Sequence, residues 1–174
     1  MDEENPQDIS QRTGLVMLIL FWVAVLALGS YFAQGYLQAR HNPNAQPAGS
    51  VNADGLREVV LQRNAYGHYV SSGKINGVDV TFFLDTGASN ISIPAHIAER
   101  IGLKRGYRYR SSTANGTIDV YSTELDSVQL GNITLHNLPG SINPHYQEDE
   151  ILLGMSFLKH LSFTQQGKQL ILRQ

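Results

Sequence analysis

Alternating apolar and polar positions run through the chain from Leu56 onward, and this period of two predicts strands. Two such runs, 69–75 and 78–84, flank the pair Asn76-Gly77. Asn-Gly between alternating runs predicts a tight hairpin, because both residues tolerate the positive φ angles of the turn. The other predicted strands are 58–62, 125–135 around the turn Gly131-Asn132, 151–153, 161–163 and 170–172.

Two short stretches interrupt the alternation and predict helices. Pro94 opens the first, at a position where its missing N–H costs nothing, and Gly102 closes it. Gly154 to His160 forms the second, with apolar residues on one side. The region 56–174 is therefore predicted to be an all-β domain with one or two short helices.

An uncharged apolar run from Gly14 to Ala33 precedes this region. About 20 residues of helix span about 30 Å, which is enough to cross a bilayer. The sequence thus predicts a transmembrane helix over 14–37 after a polar, acidic tail over 1–13. The alternative is a cleaved signal peptide ending near Ala27-Leu28-Gly29, although the acidic n-region argues against it.

Residues 38–55 are rich in Asn, Ala, Pro and Gly and show no periodicity. This composition predicts a flexible linker between the helix and the domain. Arg12 and Arg40 lie on opposite sides of the helix, so the positive-inside rule barely decides its orientation. A short tail inside and the domain outside is the arrangement that we expect.

The amino-acid composition argues against several classes of chemistry. The chain has no Cys, which excludes disulfides, thiol catalysis and Cys-based metal sites. Its six His residues show no ligand spacing, so neither a metal nor another cofactor is predicted. The net charge is −2, and no nucleic-acid partner is expected. The basic, aromatic segment 104–110 could be a nucleic-acid patch, but charges also protect solvated edge strands.

The candidate chemistry lies where the strand 78–84 ends. Asp85 follows the apolar strand directly and is followed by Thr86-Gly87-Ala88. Asp is seldom buried without a partner, and a carboxylate beside a hydroxyl and a flexible Gly suits chemistry on water. The structural alternative is an ordinary turn, in which the carboxylate accepts backbone N–H bonds.

This stretch resembles the active-site loop of the aspartic proteases, Asp-Thr/Ser-Gly-Ala/Ser. It is closest in type to the small retropepsin-like group with one such motif, which includes membrane-anchored bacterial members. Downstream, Ile151-Leu152-Leu153-Gly154 resembles the apolar-apolar-Gly element that supports the loop in that family. The resemblance implies a retropepsin-like β-barrel or sandwich after the transmembrane helix.

The resemblance also implies roles for individual residues, including a hairpin that closes over the substrate as a flap. The implied residues are catalytic Asp85; substrate-binding Gly87, Ala88, Asn115 and Gly116; and supporting Thr86, Leu153 and Gly154.

The aspartic-protease mechanism needs two carboxylates that share one proton, and this chain has one Asp-Thr-Gly. The economical source of the second is Asp85 of a symmetry mate. The sequence therefore predicts a homodimeric aspartic endopeptidase that cleaves proteins or peptides. We expect a single-pass protein of a bacterial inner membrane with a periplasmic domain, because the resembled bacterial proteins look exported. The alternatives are a catalytically silent, membrane-anchored dimeric peptide-binding module and an anchor protein whose β domain only self-associates.

Overall fold

The structure is a computed structural model that describes residues 6–113 and 116–174. Its contacts divide the chain into the units Met1–Ala39 and Arg40–Gln174, and the second unit is mostly β. The strands are β1 Gly49–Val51, β2 Arg57–Gln62, β3 Val70–Ile75, β4 Val78–Leu84, β5 Ile91–Pro94, β6 Arg108–Thr113, β7 Gly116–Leu130, β8 Ile133–Asn143, β9 Glu150–Leu153, β10 Ser162–Gln166 and β11 Gln169–Arg173. The helices are α1 Pro6–His41, α2 Ala95–Arg100 and α3 Met155–Leu158.

The larger sheet has seven strands in the order β3-β4-β9-β5-β8-β7-β6. An additional pairing of β3 with β7, through Lys74 with Gln129 and Ile75 with Val128, closes six of these strands into a barrel. Gly73 lies at the closure, where a Cβ atom would collide with the carbonyl oxygen of Gln129. The close approach of two backbones explains a glycine inside a strand.

The β3–β4 hairpin confirms the turn that the sequence predicts. Asn76 and Gly77 adopt φ angles of 50° and 81°, as a type I′ turn requires. Along β4, Phe82 and Leu84 point into the buried core, while Phe83 lies on the other face and is half-buried. The residue after Leu84 therefore leaves the barrel on the outer face of the sheet.

The smaller sheet has the order β1-β2-β11-β10. Its β10–β11 hairpin turns through Gly167-Lys168, where Gly167 has a φ of 58°. All five residues of β10 are exposed, and the strand pairs on one side with β11. The outer side of β10 is a free sheet edge.

In the sequence, Pro139 and Gly140 predict a loop or an edge strand. In the structure, strand β8 continues through both residues to Asn143. Pro139 pairs with Glu124 of β7, but pairing with β5 begins only at Gly140. The backbone at Pro139 thus has a free side, so a missing N–H is tolerated inside a long strand.

The predicted linker and tail differ from the structure. Asn44, within the predicted linker, is buried; its side-chain amide donates to the carbonyls of Gln62 and Val70 at 2.9 and 2.7 Å. Strand β1 pairs with β2, so the segment 42–51 is part of the domain. The Asn-, Ala-, Pro- and Gly-rich composition of 38–55 does not indicate the hydrogen bonds that fix this segment to the domain. The helix also begins at Pro6, inside the predicted tail, and continues to His41.

From Gly14 to Leu37, helix α1 is largely apolar and its residues are exposed. Its segment Gly14–His41 is long and apolar enough to span a bilayer, and none of the apolar window is buried. A signal sequence near the N-terminus would have the same properties. The predicted span over 14–37 lies within this helix.

Candidate active site

Asp85 stands at the mouth of the barrel, immediately after β4. Strands β4 and β9 run parallel, with Leu84 beside Leu153, and the Asp85 N–H donates to the carbonyl of Leu153 at 3.3 Å. The Asp85 side chain is half-buried, while Thr86 and Gly87 are exposed. The strand thus presents one carboxylate to solvent from a backbone that is fixed by its neighbour.

The segment Asp85–Asn90, here called the Asp85 loop, orients its own carboxylate. The backbone N–H of Gly87 donates to Oδ1 of Asp85 at 2.8 Å, and the N–H of Ala88 donates to the carbonyl of Asp85 at 3.2 Å. A hydrogen bond to a carboxylate is stronger than one between neutral groups. The loop therefore holds one oxygen in place and leaves the other available.

A second segment supports the loop from behind. The N–H groups of Met155 and Ser156 donate to the carbonyls of Ala88 and Ser89 at 2.7 and 3.0 Å. At Gly154 a Cβ atom would collide with the carbonyl oxygens of Ala88 and Asn90. The absence of a side chain at Gly154 is what permits this contact.

The structure brings together most of the residues that the sequence singles out. Leu153 and Gly154 contact the loop that contains Asp85, Thr86, Gly87 and Ala88. Thr86 is exposed within the single chain, and no contact of its side chain defines a role there.

The β6–β7 hairpin has its tip between Thr113 and Gly116. Gly116 has a φ of 112°, and Oγ1 of Thr113 donates to its carbonyl at 2.8 Å. Asn115, the other predicted flap residue, lies outside the described residues. The predicted hairpin is confirmed by the pairing of β6 with β7, and its role as a flap stays a prediction.

Two charges of the basic segment 104–110 are neutralised locally. Arg108 pairs with Asp119 across the hairpin, and Arg105 donates to Glu99 at 2.8 Å. The hydrogen bond from Arg108 holds the pKa of Asp119 below its ordinary value. Two basic residues of the segment 104–110 thus have carboxylate partners within the chain.

Several site residues lack a signal in the sequence. Oγ of Ser156 accepts a hydrogen bond from the buried N–H of Ile91 at 3.0 Å, which fixes the end of the loop. Burial raises the pKa of Tyr146 to about 12, and the charges of Glu150, Glu148 and Asp85 add to this rise. Of these charges, Asp85 contributes least, and it is distant from Tyr146 in sequence.

An apolar patch borders Asp85 on the outer face of the sheet. The ring of Phe83 lies 4.9 Å from that of His68, centroid to centroid. Leu152, also half-buried, pairs with Phe83 from the neighbouring strand. Phe83 is the last outward-facing residue of β4 and precedes Asp85 by two positions, so this patch lies at the end of the strand that leads to Asp85.

A barrel that presents one Asp-Thr-Gly loop, supported by an apolar-apolar-Gly element, defines an aspartic-protease domain of the one-motif type. Residues 71–160 match the family described as gag-polyprotein putative aspartyl protease. The fold is similar to the crystal structure of a retropepsin-like aspartic protease from Rickettsia conorii, with 28% identity and a TM-score of 0.58. That match covers 68% of this chain and 91% of the other. The chain belongs to the retropepsin-like aspartic protease family.

Two curated proteins are also similar in sequence. An uncharacterized protein in the cobV 5' region of Sinorhizobium sp is 35% identical over 117 residues, which is 66% of this chain. An uncharacterized protein of Rickettsia prowazekii (strain Madrid E) is 30% identical over 118 residues, again 66% of this chain. In each case the matched region spans 50% of the relative's length.

Proposed function

We propose that this protein is a membrane-anchored aspartic endopeptidase whose catalytic pair consists of Asp85 from two chains. The observation that carries the proposal is the Asp85 carboxylate itself, which Gly87 orients at 2.8 Å. It stands at the end of a barrel strand in a chain of an aspartic-protease family. Gly154 and Ser156 support the loop that carries this carboxylate.

The chemistry follows from two carboxylates in one site. Two like charges at close range cannot both ionise, so the pair holds one proton. The ionised Asp85 takes a proton from water, the oxygen of which attacks the carbonyl carbon of the peptide. The protonated Asp85 of the partner chain donates to the carbonyl oxygen, which gives a tetrahedral gem-diol. The first Asp85 then passes the proton it took from water to the peptide nitrogen, the C–N bond breaks to release the amine, and a hydroxyl of the gem-diol returns its proton to the partner's Asp85 as the carboxylic acid product forms.

The second carboxylate would come from another chain, because no Asp of residues 54–174 other than Asp85 is followed by Thr-Gly, Asp54 and Asp149 included. Asp79 is exposed and pairs with Lys74 at 2.8 Å. Asp119 is paired with Arg108, and Asp126 lies exposed on β7. None of these is followed by Thr-Gly. A two-fold axis between two Asp85 loops would supply the pair.

The same proposal assigns the substrate contacts. Gly87, which is exposed, and Ala88, which is half-buried, would contact an extended peptide, and the β6–β7 hairpin would cover it through Asn115 and Gly116. The apolar patch beside Asp85 suits a large apolar side chain next to the scissile bond. Thr86, which is exposed in one chain, would bond across the two-fold axis.

We propose that helix α1 is retained as a single-pass anchor in a bacterial inner membrane, with the domain on the periplasmic side. Its uncharged run and its length support this role. A reporter fused after Gln174 should be accessible from the periplasm, and the mature chain should still contain 14–37. A mature N-terminus near Ser30 would instead identify a signal peptide.

The test is the digestion of a peptide library by the full chain in detergent. The wild type should cleave, and a transition-state mimic with a central hydroxyl should inhibit it. Asp85→Asn should abolish cleavage and keep the fold, while Asp79→Asn, a matched change at an exposed carboxylate, should cleave normally. Peptide binding without cleavage by the wild type would contradict the proposal and support a silent binding module.

A further inference from the structure

The Asp85 loop has one side chain that reaches the β6–β7 hairpin. Nδ2 of Asn90 donates to the hydroxyl oxygen of Tyr109 on β6 at 3.5 Å. We infer that Tyr109 is a positioning residue, which acts through Asn90 to hold the Asp85 loop in its catalytic orientation. This inference rests on the proposed protease function and adds a residue to its site.

The backbone of Asn90 is restrained on both sides. Its carbonyl oxygen lies against Gly154, and the next residue, Ile91, is fully buried and donates its N–H to Ser156 at 3.0 Å. On the other side, the carbonyl of Ser89 accepts the N–H of Ser156 at 3.0 Å. These bonds hold the C-terminal end of the Asp85 loop, and the side-chain amide of Asn90 adds a contact from the loop to the β6–β7 hairpin.

Tyr109 is held equally well on its own element. It pairs with Val120, which is 2% exposed, within the β6–β7 ladder. The ring centroid of Tyr107 lies 5.8 Å away. The base of the hairpin is joined by reciprocal bonds of Ser122, whose carbonyl accepts from Gly106 at 2.7 Å and whose N–H donates to Tyr107 at 2.9 Å. The Tyr109 hydroxyl thus joins the Asp85 loop to the β6–β7 hairpin.

The hydrogen bond between Asn90 and Tyr109 is long, and it borders open space that would allow it to shorten. Asn90 and Tyr109 both line a groove of about 780 Å³ between the hairpin base and the sheet. Catalytic hydrogen bonds are often loose in a ligand-free enzyme and tighten when substrate is bound. A bond at 3.5 Å beside open space can shorten as the hairpin approaches a bound peptide.

Loss of the contact between Tyr109 and Asn90 should affect the chemical step rather than substrate binding. Asn90 is on the loop that carries Asp85, whereas Tyr109 reaches the loop and not the reacting atoms. Loss of the hydroxyl should therefore lower kcat through a less ordered carboxylate and leave KM nearly unchanged, as for an interaction made mainly in the transition state. One net hydrogen bond corresponds to a fall of roughly 3- to 10-fold.

The experiment uses the full chain in detergent and a peptide that the wild type cleaves. Tyr109→Phe removes only the hydroxyl, and Tyr107→Phe is the matched control, because the two rings are neighbours on one segment. Asn90→Ala and the double variant Asn90→Ala with Tyr109→Phe complete a double-mutant cycle. Thermal unfolding of each variant reports whether the fold is retained.

We expect kcat to fall in Tyr109→Phe at constant KM, Tyr107→Phe to match the wild type, and the Tyr109 effect to disappear in the Asn90→Ala background. A wild-type kcat in Tyr109→Phe, a rise in KM alone, or additive effects in the cycle would each overturn the inference. An inactive wild type would instead overturn the proposed function, so the two failures are distinguishable.

Discussion

Gly154 illustrates at the scale of one residue how a segment far away in sequence packs against the Asp85 loop. Its φ of −91° is open to any residue, so the requirement for glycine is steric rather than conformational. The carbonyl oxygens of Ala88 and Asn90 occupy the space where a Cβ atom would lie. These oxygens belong to the Asp85 loop, so a larger residue would displace the loop directly.

Gly154→Ala should therefore destabilise the domain by about 1–3 kcal/mol, the usual cost of overpacking, and should also reduce cleavage. Denaturant unfolding of the full chain measures the first effect, and the initial rate on a peptide measures the second. Gly35→Ala is the control, because Gly35 lies in open space on helix α1. Unchanged stability and activity in Gly154→Ala would show that the loop accommodates the added methyl group.

Tyr146 gives a prediction about alkaline stability. Because burial and the nearby carboxylates raise its pKa to about 12, the folded state keeps the proton longer than the unfolded chain does. An ordinary Tyr has a pKa near 10, so the stability from this group is complete below about pH 10. That contribution is lost as the pH rises through the folded pKa of about 12.

Tyr146→Phe keeps the ring and removes this titration. The difference in unfolding free energy between the wild type and the variant should therefore fall between about pH 10 and pH 12. Tyr66→Phe, which removes a hydroxyl from a ring that is 70% exposed, is measured in parallel as a surface comparison. A difference that is constant across this window would contradict the raised pKa.

Some residues of the candidate site can be recognised from the sequence around them, and others only from the folded structure. Asp85-Thr86-Gly87 and Gly154 could be recognised in the sequence, because each stands at the end of an apolar strand. Ser156 and Tyr146 could not, because their importance depends on which loops the barrel brings together. A serine on a short helix and a tyrosine in a polar loop have no periodicity that indicates a site.

The same distinction holds for whole elements. The β3–β4 and β10–β11 hairpins were predictable, since their turns depend on Asn-Gly and Gly-Lys pairs with local φ requirements. Strand β1 was not, because the segment 42–51 is fixed by the buried Asn44, whose hydrogen bonds go to β2 and β3. Pairing between distant segments is set by tertiary contacts, which composition does not encode.

Strand β10 gives a prediction at this scale, since its free edge is a surface on which a second chain could add a strand. In a two-residue hairpin the flanking pair, Gln166 and Gln169, exchanges hydrogen bonds, and alternation then turns the N–H of Gln165 outward. Phe163, on the same strand, is 43% exposed. Backbone pairing at this edge would join two domains without changing the barrel.

Gln165→Pro should weaken dimerisation, because proline removes an outward donor and keeps the bonds to β11. Thr164→Pro should instead damage the hairpin itself, and Gln165→Ala should leave dimerisation unchanged. Sedimentation of the full chain in detergent measures the association, and circular dichroism reports on the fold. A fully dimeric Gln165→Pro variant would exclude the β10 edge as the contact.

At the scale of the whole molecule, an apolar helix and a barrel domain with one Asp-Thr-Gly support each other's proposed roles. An active site made of two chains needs those chains to meet. A membrane anchor confines them to a surface, and confinement raises the effective concentration of a weak dimer. The anchor therefore contributes to catalysis only if the active unit contains two chains.

A mixing experiment tests this requirement. If Asp85 of both chains is needed, adding Asp85→Asn chains should lower the activity of the wild type whenever the chains exchange between dimers. Random pairing at equal amounts leaves about a quarter of the dimers with two native carboxylates, whereas a monomeric enzyme would retain about half of its activity. Initial rates at a fixed total concentration should thus follow the square of the wild-type fraction. Asp79→Asn, mixed in the same way, should cause no loss, and a straight line with Asp85→Asn would exclude a shared site.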